Sequence, residues 1–101
     1  MVAQTQSCIN FVVKSVWYDT VDQPVIPIEI TNSCSEGAVI AVDIKTPDNK
    51  SLHSEKIRLK PAEKRVIEIT LSYYGDVVLS ATGKLEKSDI VLQLGEWKLK
   101  L

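Results

Sequence analysis

The sequence contains no long apolar run and no excess of basic residues. A membrane-spanning helix needs about 20 consecutive apolar residues, whereas the apolar runs here are a few residues long. Twelve basic and thirteen acidic side chains leave a formal charge of −1, so no global field would attract a nucleic-acid backbone or an anionic lipid surface. We therefore expect no membrane span in this chain and no nucleic-acid partner.

Residues typical of catalytic and metal sites are equally scarce. His53 is the only histidine, and the two cysteines do not form a CxxC motif. These three residues cannot complete a tetrahedral zinc site without carboxylates, and one histidine gives little support to a copper site or a Ser-His-Asp triad. Gly-rich phosphate loops, HExxH and GxSxG are absent. We expect a non-enzyme that holds no metal or other cofactor, with His53 an ordinary surface residue.

The N-terminus does not resemble a secretory leader. Residues 1–6 have neither a basic start nor an apolar h-region. This is expected of an intracellular protein, and equally of a chain from which a leader or anchor was trimmed. Because 101 residues with 45% apolar side chains suit one two-layer core, we predict a single domain over residues 1–101, with residues 1–7 as a polar lead-in.

Alternation of apolar and polar residues predicts strands along most of the chain. The most regular stretch is residues 57–71, where two alternating runs flank a polar turn at residues 61–64. We expect two apolar rows to form the floor of a sandwich: Ile26, Ile28 and Ile30 in one, and Ile67, Ile69 and Leu71 in the other. Further strands are predicted at residues 8–16, 25–31, 38–45, 51–59 and 77–82.

Two stretches break the alternation. Residues 17–24 end in proline and are predicted to form a loop, and the polar residues 83–87 separate the last two strands. Pro27 lies inside a predicted strand but cannot donate a ladder hydrogen bond. We therefore expect it at an edge, at a bulge, or with its missing donor directed outward.

The last strand changes phase at Gly95. Ile90, Leu92 and Leu94 alternate before this glycine, and the apolar residues after it alternate on the opposite parity. A shift of one residue at a glycine is produced by a β-bulge, so we predict one there. The outward residues beyond the bulge would protect the strand as a sheet edge: Glu96, Lys98 and Lys100.

These patterns predict an all-β fold. No window of twelve or more residues holds the 3.6-residue period of a helix. About seven strands separated by short turns are typical of an immunoglobulin-like Greek-key β-sandwich. A small barrel is the alternative architecture.

Three stretches resemble immunoglobulin-like modules of the CARDB and fibronectin type III kind: residues 25–32, 42–50 and 57–66. The shared features are a strand ending in Asn, a turn-linked strand pair and a Leu-x-Pro turn followed by a short strand. The chain departs from the pattern at Ala62, where a glycine commonly follows the proline. The resemblance implies the fold and a spacer, adhesive or assembly role on secreted or surface proteins, and it transfers no catalytic site.

Cys8 and Cys34 are predicted to form a disulfide. If the first two strands pair antiparallel about a loop centred near Val21, the residue numbers of each facing pair add up to about 42. The residue numbers of Cys8 and Cys34 also add up to 42. The closed loop of about 26 residues would contribute about 3.5 kcal/mol of stability. Two free thiols are the alternative. A bridge would imply an oxidising compartment or the cytosol of a hyperthermophile.

Four aromatic residues are candidate binding residues. Trp17 and Tyr18 belong to the first predicted loop, and Tyr73 and Tyr74 follow the strand that ends near residue 71. We expect both loops at the same end of the sandwich, where exposed aromatics would anchor a protein or a sugar. The competing interpretation is structural, with one tyrosine forming a tyrosine corner and Trp17 covering the core.

Two further features are predicted to lie on the surface. A basic strip, interrupted by glutamates, is expected to be a solvated strand face: Lys56, Arg58, Lys60, Lys64 and Arg65. Residues 49–51, Asn-Lys-Ser, form an N-glycosylation sequon in a predicted exposed turn.

These observations favour a non-catalytic module of a cell-surface or appendage assembly, such as an accessory ectodomain of an archaeal pilus or archaellum. It would contact a protein partner through the aromatic loops or by edge-strand addition along its first or last strand, and it could form a homodimer through such an edge strand. Two alternatives stay open: an intracellular regulatory or ligand-binding subunit of a hyperthermophile or its virus, and a carbohydrate-binding accessory module that uses the four aromatic residues.

Overall fold

A computed structural model describes residues 8–101, which form two antiparallel sheets. The strands are β1 (Ile9–Val13), β2 (Trp17–Tyr18), β3 (Pro24–Asn32), β4 (Ala38–Lys45), β5 (Ser51–Leu59), β6 (Lys64–Thr70), β7 (Asp76–Leu85) and β8 (Val91–Lys100). The predicted all-β sandwich is confirmed, with eight strands where about seven were expected. The predicted lead-in at residues 1–7 lies outside the described residues. Within residues 8–101, no helix is long and apolar enough to span a membrane.

The two sheets are linked by repeated crossings of the chain. In the first sheet β3 is central, with β1 and β2 along one side and β6 along the other. The second sheet has the order β5-β4-β7-β8. The chain therefore changes sheet after β3, after β5 and after β6, as in Greek-key immunoglobulin-like sandwiches. Strands that follow one another in sequence often lie in different layers.

The core lies between the inner faces of the two sheets. In β4 the alternation correctly predicts that Ile40, Val42 and Ile44 point inward, since all three are fully buried. The ladder between β3 and β6 forms the predicted apolar floor, where Ile26 faces Ile69. Burying such side chains contributes about 1.5–3 kcal/mol each, so these inward rows hold the two sheets together.

The predicted bulge lies in β8. Ala81 of β7 pairs with Gly95, whereas Thr82 pairs with Gln93, so Leu94 is the extra residue. Gly95 has φ 145°, and a Cβ at this position would lie 2.9 Å from the Trp97 ring. Glycine is therefore required both by the backbone conformation and by the close approach of the ring.

Two predicted breaks between strands are wrong. Trp17 and Tyr18 are not loop residues but form β2, which pairs with the start of β3. β7 does not stop before residue 83 but continues to Leu85, which is buried. The position of Gly83 leaves little room for a side chain, because a Cβ there would lie 3.3 Å from the Ile40 side chain. Neither stretch contains enough alternation to indicate a strand, and tertiary pairing stabilises both.

Pro27 lies in a central strand, where the surrounding ladder tolerates it. Its carbonyl accepts a hydrogen bond from the Lys14 N–H at 2.9 Å. Because the N–H and C=O positions of one residue point to the same side of a strand, the missing donor faces the β1 and β2 side. The ladder is interrupted there between the end of β1 and the start of β2.

The turn at residues 61–64 joins the two sheets. β5 and β6 do not pair with each other, because β5 pairs with β4 and β6 with β3. Within the turn, the Glu63 N–H donates to the Lys60 carbonyl at 3.1 Å. Ala62 has φ 64°, a left-handed conformation that glycine adopts more readily. This conformation explains why a glycine would suit this position.

Candidate functional site

The loops that carry the predicted binding residues meet at one end of the sandwich, which we call the aromatic end. It consists of residues 17–23, residues 71–75 and Leu101. Gln23 Nε2 donates to Ser72 Oγ at 3.0 Å, and the Tyr74 hydroxyl donates to the Asp22 carbonyl. The expectation that the two loops share an end is therefore correct.

The first loop is fixed by its own aspartate. Asp19 Oδ1 accepts hydrogen bonds from the backbone N–H groups of Val21 at 3.0 Å and Gln23 at 2.9 Å. The Asp22 N–H donates to the Asp19 carbonyl at 3.0 Å. Aspartate commonly stabilises turns in this way, so Asp19 organises the loop, a role that our sequence analysis missed. The loop presents Val21 with 69% of its surface exposed.

The four predicted aromatic residues have different surroundings. Tyr74, Tyr18 and Trp17 are 58%, 48% and 45% exposed, whereas Tyr73 is half-buried and packs against the core. Trp17 faces Val25 and Tyr18 faces Pro24 in the ladder, and neighbouring strand residues point to opposite sides. We call Tyr18, Val21 and Tyr74 the aromatic patch. Trp17 flanks it on the outer face of the sheet.

The opposite end of the sandwich contains the predicted disulfide, and we call it the disulfide end. Cys8 and Cys34 are bonded, with their Cα atoms 5.0 Å apart. The predicted facing sum of 42 is wrong by one, because Ile9 faces Asn32. Cys8 reaches Cys34 because the chain turns beyond Asn32, where the Cys34 N–H donates to Asn32 Oδ1 at 2.9 Å.

Asn32 connects the turns of the disulfide end. It is fully buried, and its Nδ2 donates to the carbonyls of Glu36 at 3.0 Å and Lys60 at 3.1 Å. Its backbone N–H donates to the Glu63 carbonyl at 2.8 Å. The sequence indicates this role because Asn32 continues the row of even-numbered inward residues of β3, after Ile28 and Ile30. A polar side chain at such a position requires partners.

A cleft of about 520 Å³ opens at the disulfide end, and its glutamates are already engaged. Glu36 accepts the Ser88 N–H at 2.9 Å, Glu63 accepts the Lys60 N–H at 2.8 Å, and Glu86 pairs with Arg58 at 2.7 Å. The hydrogen bond from Ser88 is the main cause that lowers the pKa of Glu36, and that from Lys60 does the same for Glu63. These carboxylates hold the turns in place.

The predicted basic strip is not one surface. Lys56 and Arg58 face Ala41 and Val39 on the outer face of one sheet, whereas Lys64 lies in the other sheet and pairs with Glu29 at 3.3 Å. The turn at residues 61–64 separates these groups because it carries the chain between the sheets.

The remaining candidates are isolated. His53 is half-buried, and its Nε2 lies 2.9 Å from Glu55 Oε1. Residues 8–101 contain no group of three or more His, Cys, Asp or Glu side chains able to hold a metal ion. The sequon begins at Asn49, in an exposed turn where the Asn49 N–H donates to the Thr46 carbonyl at 2.8 Å. Its predicted position is therefore correct.

The strand order defines an immunoglobulin-like β-sandwich, and comparisons with known proteins agree at this level. No family model matches the chain, and no curated protein sequence matches it. Part of a Bacteroides uniformis β-glucuronidase superposes with a TM-score of 0.54 at 16% identity, covering 92% of this chain and 13% of that chain. Part of a Kluyveromyces marxianus β-glucosidase in complex with glucose gives 0.51 at 17% identity, covering 94% and 14%.

A third similar structure is DesR, a β-glucosidase from Streptomyces venezuelae, with a TM-score of 0.50 and 12% identity, covering 92% of this chain and 15% of that chain. This chain thus spans 13–15% of the length of the three proteins. At such low identity the likeness shows the fold alone. The resemblance to CARDB and fibronectin type III modules is confirmed as an immunoglobulin-like sandwich and not at the level of either family.

Proposed function

We propose that this chain is a non-catalytic immunoglobulin-like module that binds a protein partner through the aromatic patch. The observation that carries the proposal is that large side chains are exposed on a short strand and two loops whose backbones are already fixed. Tyr18, Val21 and Tyr74 would lose exposed area on binding, and the hydrogen bonds of Asp19 would spare the loop much of its ordering cost. Tyrosine also buries a large area with few rotatable bonds.

The two exposed tyrosines would contribute differently. The Tyr74 hydroxyl is already bonded to Asp22, so this residue offers mainly its ring. Tyr18 forms no hydrogen bond through its hydroxyl within residues 8–101, so this group is free to bond a partner. The surface therefore suits a partner with an apolar pocket beside a hydrogen-bond acceptor.

A carbohydrate is the second candidate ligand. The exposed rings of Trp17, Tyr18 and Tyr74 are the feature that favours it, because sugars also bind to aromatic faces. The names of the proteins that share the fold make glucose and glucuronic acid the first sugars to test.

For location, we propose an extracytoplasmic or cell-surface site, supported by the disulfide between Cys8 and Cys34. An accessory ectodomain of an archaeal pilus or archaellum is one such setting. The cytoplasm of a hyperthermophile, with a regulatory or ligand-binding role there, is the alternative. Alkylation of thiols during lysis of native cells, before separation of the compartments, will show where the bonded form resides.

Binding will be tested with the immobilised full chain against proteins of its source organism and against a glycan array. The patch variants are Tyr18→Ala, Tyr74→Phe and Tyr74→Ala. Ile90→Ala and Val91→Ala are the controls, because both residues are exposed at the disulfide end. We expect one partner protein to bind the unmodified chain and the control variants, and not to bind the alanine variants of the patch. Equal retention by all variants would contradict the proposed surface, and binding of sugars alone would favour the second candidate.

A further inference from the structure

β6 has a free edge. It pairs with β3, and no other strand in residues 8–101 pairs with its opposite side. The Glu63 carbonyl accepts the Asn32 N–H, and the Leu71 N–H donates to the Pro24 carbonyl, so the odd-numbered residues direct their backbone groups toward β3. The even-numbered residues direct theirs outward: Lys64, Val66, Glu68 and Thr70.

The other edges carry features that discourage pairing. The last strand, β8, has its bulge at Leu94 and Gly95, and the side formed by β1 and β2 is interrupted. The β5 edge has His53 and Glu55 opposite the inward residues of β4.

β6 is a regular strand of seven residues without a bulge, glycine or proline. Its inward charge, Arg65, is bound by Glu63 at 2.8 Å. Val66 is the second of the four outward residues and is 61% exposed. β6 is therefore the least protected edge of the sandwich.

The charges on this face are complementary to the same charges in reversed order. Lys64 is positive, Val66 is apolar and Glu68 is negative. In an antiparallel pair of copies related by a two-fold axis at Val66, the two valines face each other and each lysine faces the glutamate of the other copy. These residues are the ones whose backbone N–H and C=O groups point outward, so the same register satisfies both the backbone and the charges.

We propose that a second copy of this chain pairs antiparallel with the free edge of β6 in this register. Centring the axis at Ile67 instead would place Val66 opposite Glu68, and centring it at Glu68 would bring two carboxylates together. In this register residues 64–68 of the two strands face each other, and this short overlap forms a smaller interface than the roughly 1,200–2,000 Å² of stable complexes. The dimer is therefore weak and reversible, and it leaves both ends of the sandwich accessible.

Cysteine crosslinking tests the register. Facing residues of a hydrogen-bonded antiparallel pair have Cα atoms about 5.5 Å apart, within the range that a disulfide spans. Val66→Cys in the full chain should therefore form a reducible dimer with twice the mass of the 11.2 kDa chain. Peptide mapping without reductant should show residue 66 linked to itself and the bond between Cys8 and Cys34 intact.

Ile67→Cys and Glu68→Cys are the matched controls, because each would crosslink best if the axis passed through its own position. Val66 and Glu68 are exposed, so both variants should fold, and circular dichroism will check all three. A higher dimer yield from either control than from Val66→Cys would overturn the proposal.

Charge exchange tests the attraction between copies. Light scattering at up to millimolar concentration should show a dimer for the unmodified chain, and Glu68→Lys should weaken it about tenfold or more, because both cross-strand pairs become repulsive. Glu68→Gln should weaken it less. The double variant Lys64→Glu, Glu68→Lys should restore it.

Lys64 also pairs with Glu29 at 3.3 Å, so the folding of the double variant is checked first. If it does not fold, the comparison of Glu68→Lys with Glu68→Gln decides. A monomer at every concentration, or an equal dimer for Glu68→Lys and the unmodified chain, would overturn the proposal.

Discussion

The two ends of the sandwich differ in how their loops are held and in what they leave exposed. At the disulfide end, the turns are held by a covalent bond, by the buried Asn32 and by several glutamates that bond to other residues of the chain. At the aromatic end, hydrogen bonds near the surface hold the loops, while Tyr18, Val21 and Tyr74 remain exposed. Polar contacts thus hold the turns at both ends, but exposed tyrosines lie at the aromatic end only, which is why we propose that end for binding.

Removing the disulfide should have the largest effect on this contrast. In the double variant Cys8→Ser, Cys34→Ser, we expect the free energy of unfolding to fall by about 3.5 kcal/mol, because the unfolded chain regains the freedom of a loop of about 26 residues. Urea denaturation will measure the loss. A change below 1 kcal/mol would show that non-covalent contacts alone hold the disulfide end.

Truncating Asn32 should come next. In Asn32→Ala, the Lys60 carbonyl and the Cys34 N–H lose their buried partner, and we expect a loss of about 2–3 kcal/mol. Asn10→Ala is the matched control, because Asn10 is an exposed asparagine on β1. Hydrogen exchange should accelerate at residues 33–37 and 60–63. Faster exchange at residues 19–23 instead would contradict the assignment of Asn32 to one end.

Removing the Tyr74 hydroxyl should affect the aromatic end only. Tyr74→Phe eliminates the hydrogen bond to Asp22 while keeping the ring, and we expect a loss of about 0.5–1.5 kcal/mol with faster hydrogen exchange at residues 19–23. Tyr18→Phe is the control, because the Tyr18 hydroxyl has no hydrogen-bond partner in residues 8–101. Equal effects of the two substitutions would show that this bond does not fix the loop.

Acid should weaken the disulfide end slightly. The pKa of Glu36 is lowered below its ordinary value of 4.5, chiefly by the Ser88 N–H, so its contribution to stability is present above pH 4.5 and is lost as the pH falls through the lower value in the folded state. Glu36→Gln should be slightly less stable than the unmodified chain at pH 7. The difference should shrink toward pH 3 in thermal unfolding, and a constant difference would contradict this role.

The register of the disulfide shows how far sequence reasoning could have gone. Alternation correctly places Phe11 and Ile30 on the inner face, where they face each other. Facing residues share a face, so an inward odd-numbered residue must face an inward even-numbered one, and their numbers must add up to an odd value. The facing sum of 42 is even, so the predicted faces already excluded it. The parity of the inward residues therefore restricts the register more tightly than the centre of the connecting loop does.

The candidate site was predictable only in part. Topology brings the loops of Tyr18 and Tyr74 to one end, as expected, but the sequence did not reveal that Trp17 and Tyr18 belong to a strand with opposite-facing side chains. That strand exists because β3 offers it a partner at Val25 and Pro24. A two-residue segment carries no periodicity of its own, so only the pairing identifies it.

Local alternation determined most of the strands, the inward apolar rows and the position of the bulge in β8, because these depend on the period of the backbone and on Gly95. Tertiary structure decided which sheet each strand joins, and therefore that Arg58 and Lys64 lie apart and that one edge of β6 is unpaired within the described residues. The reason is that sheet membership depends on hydrogen bonds between residues distant in sequence, whose register no local pattern contains.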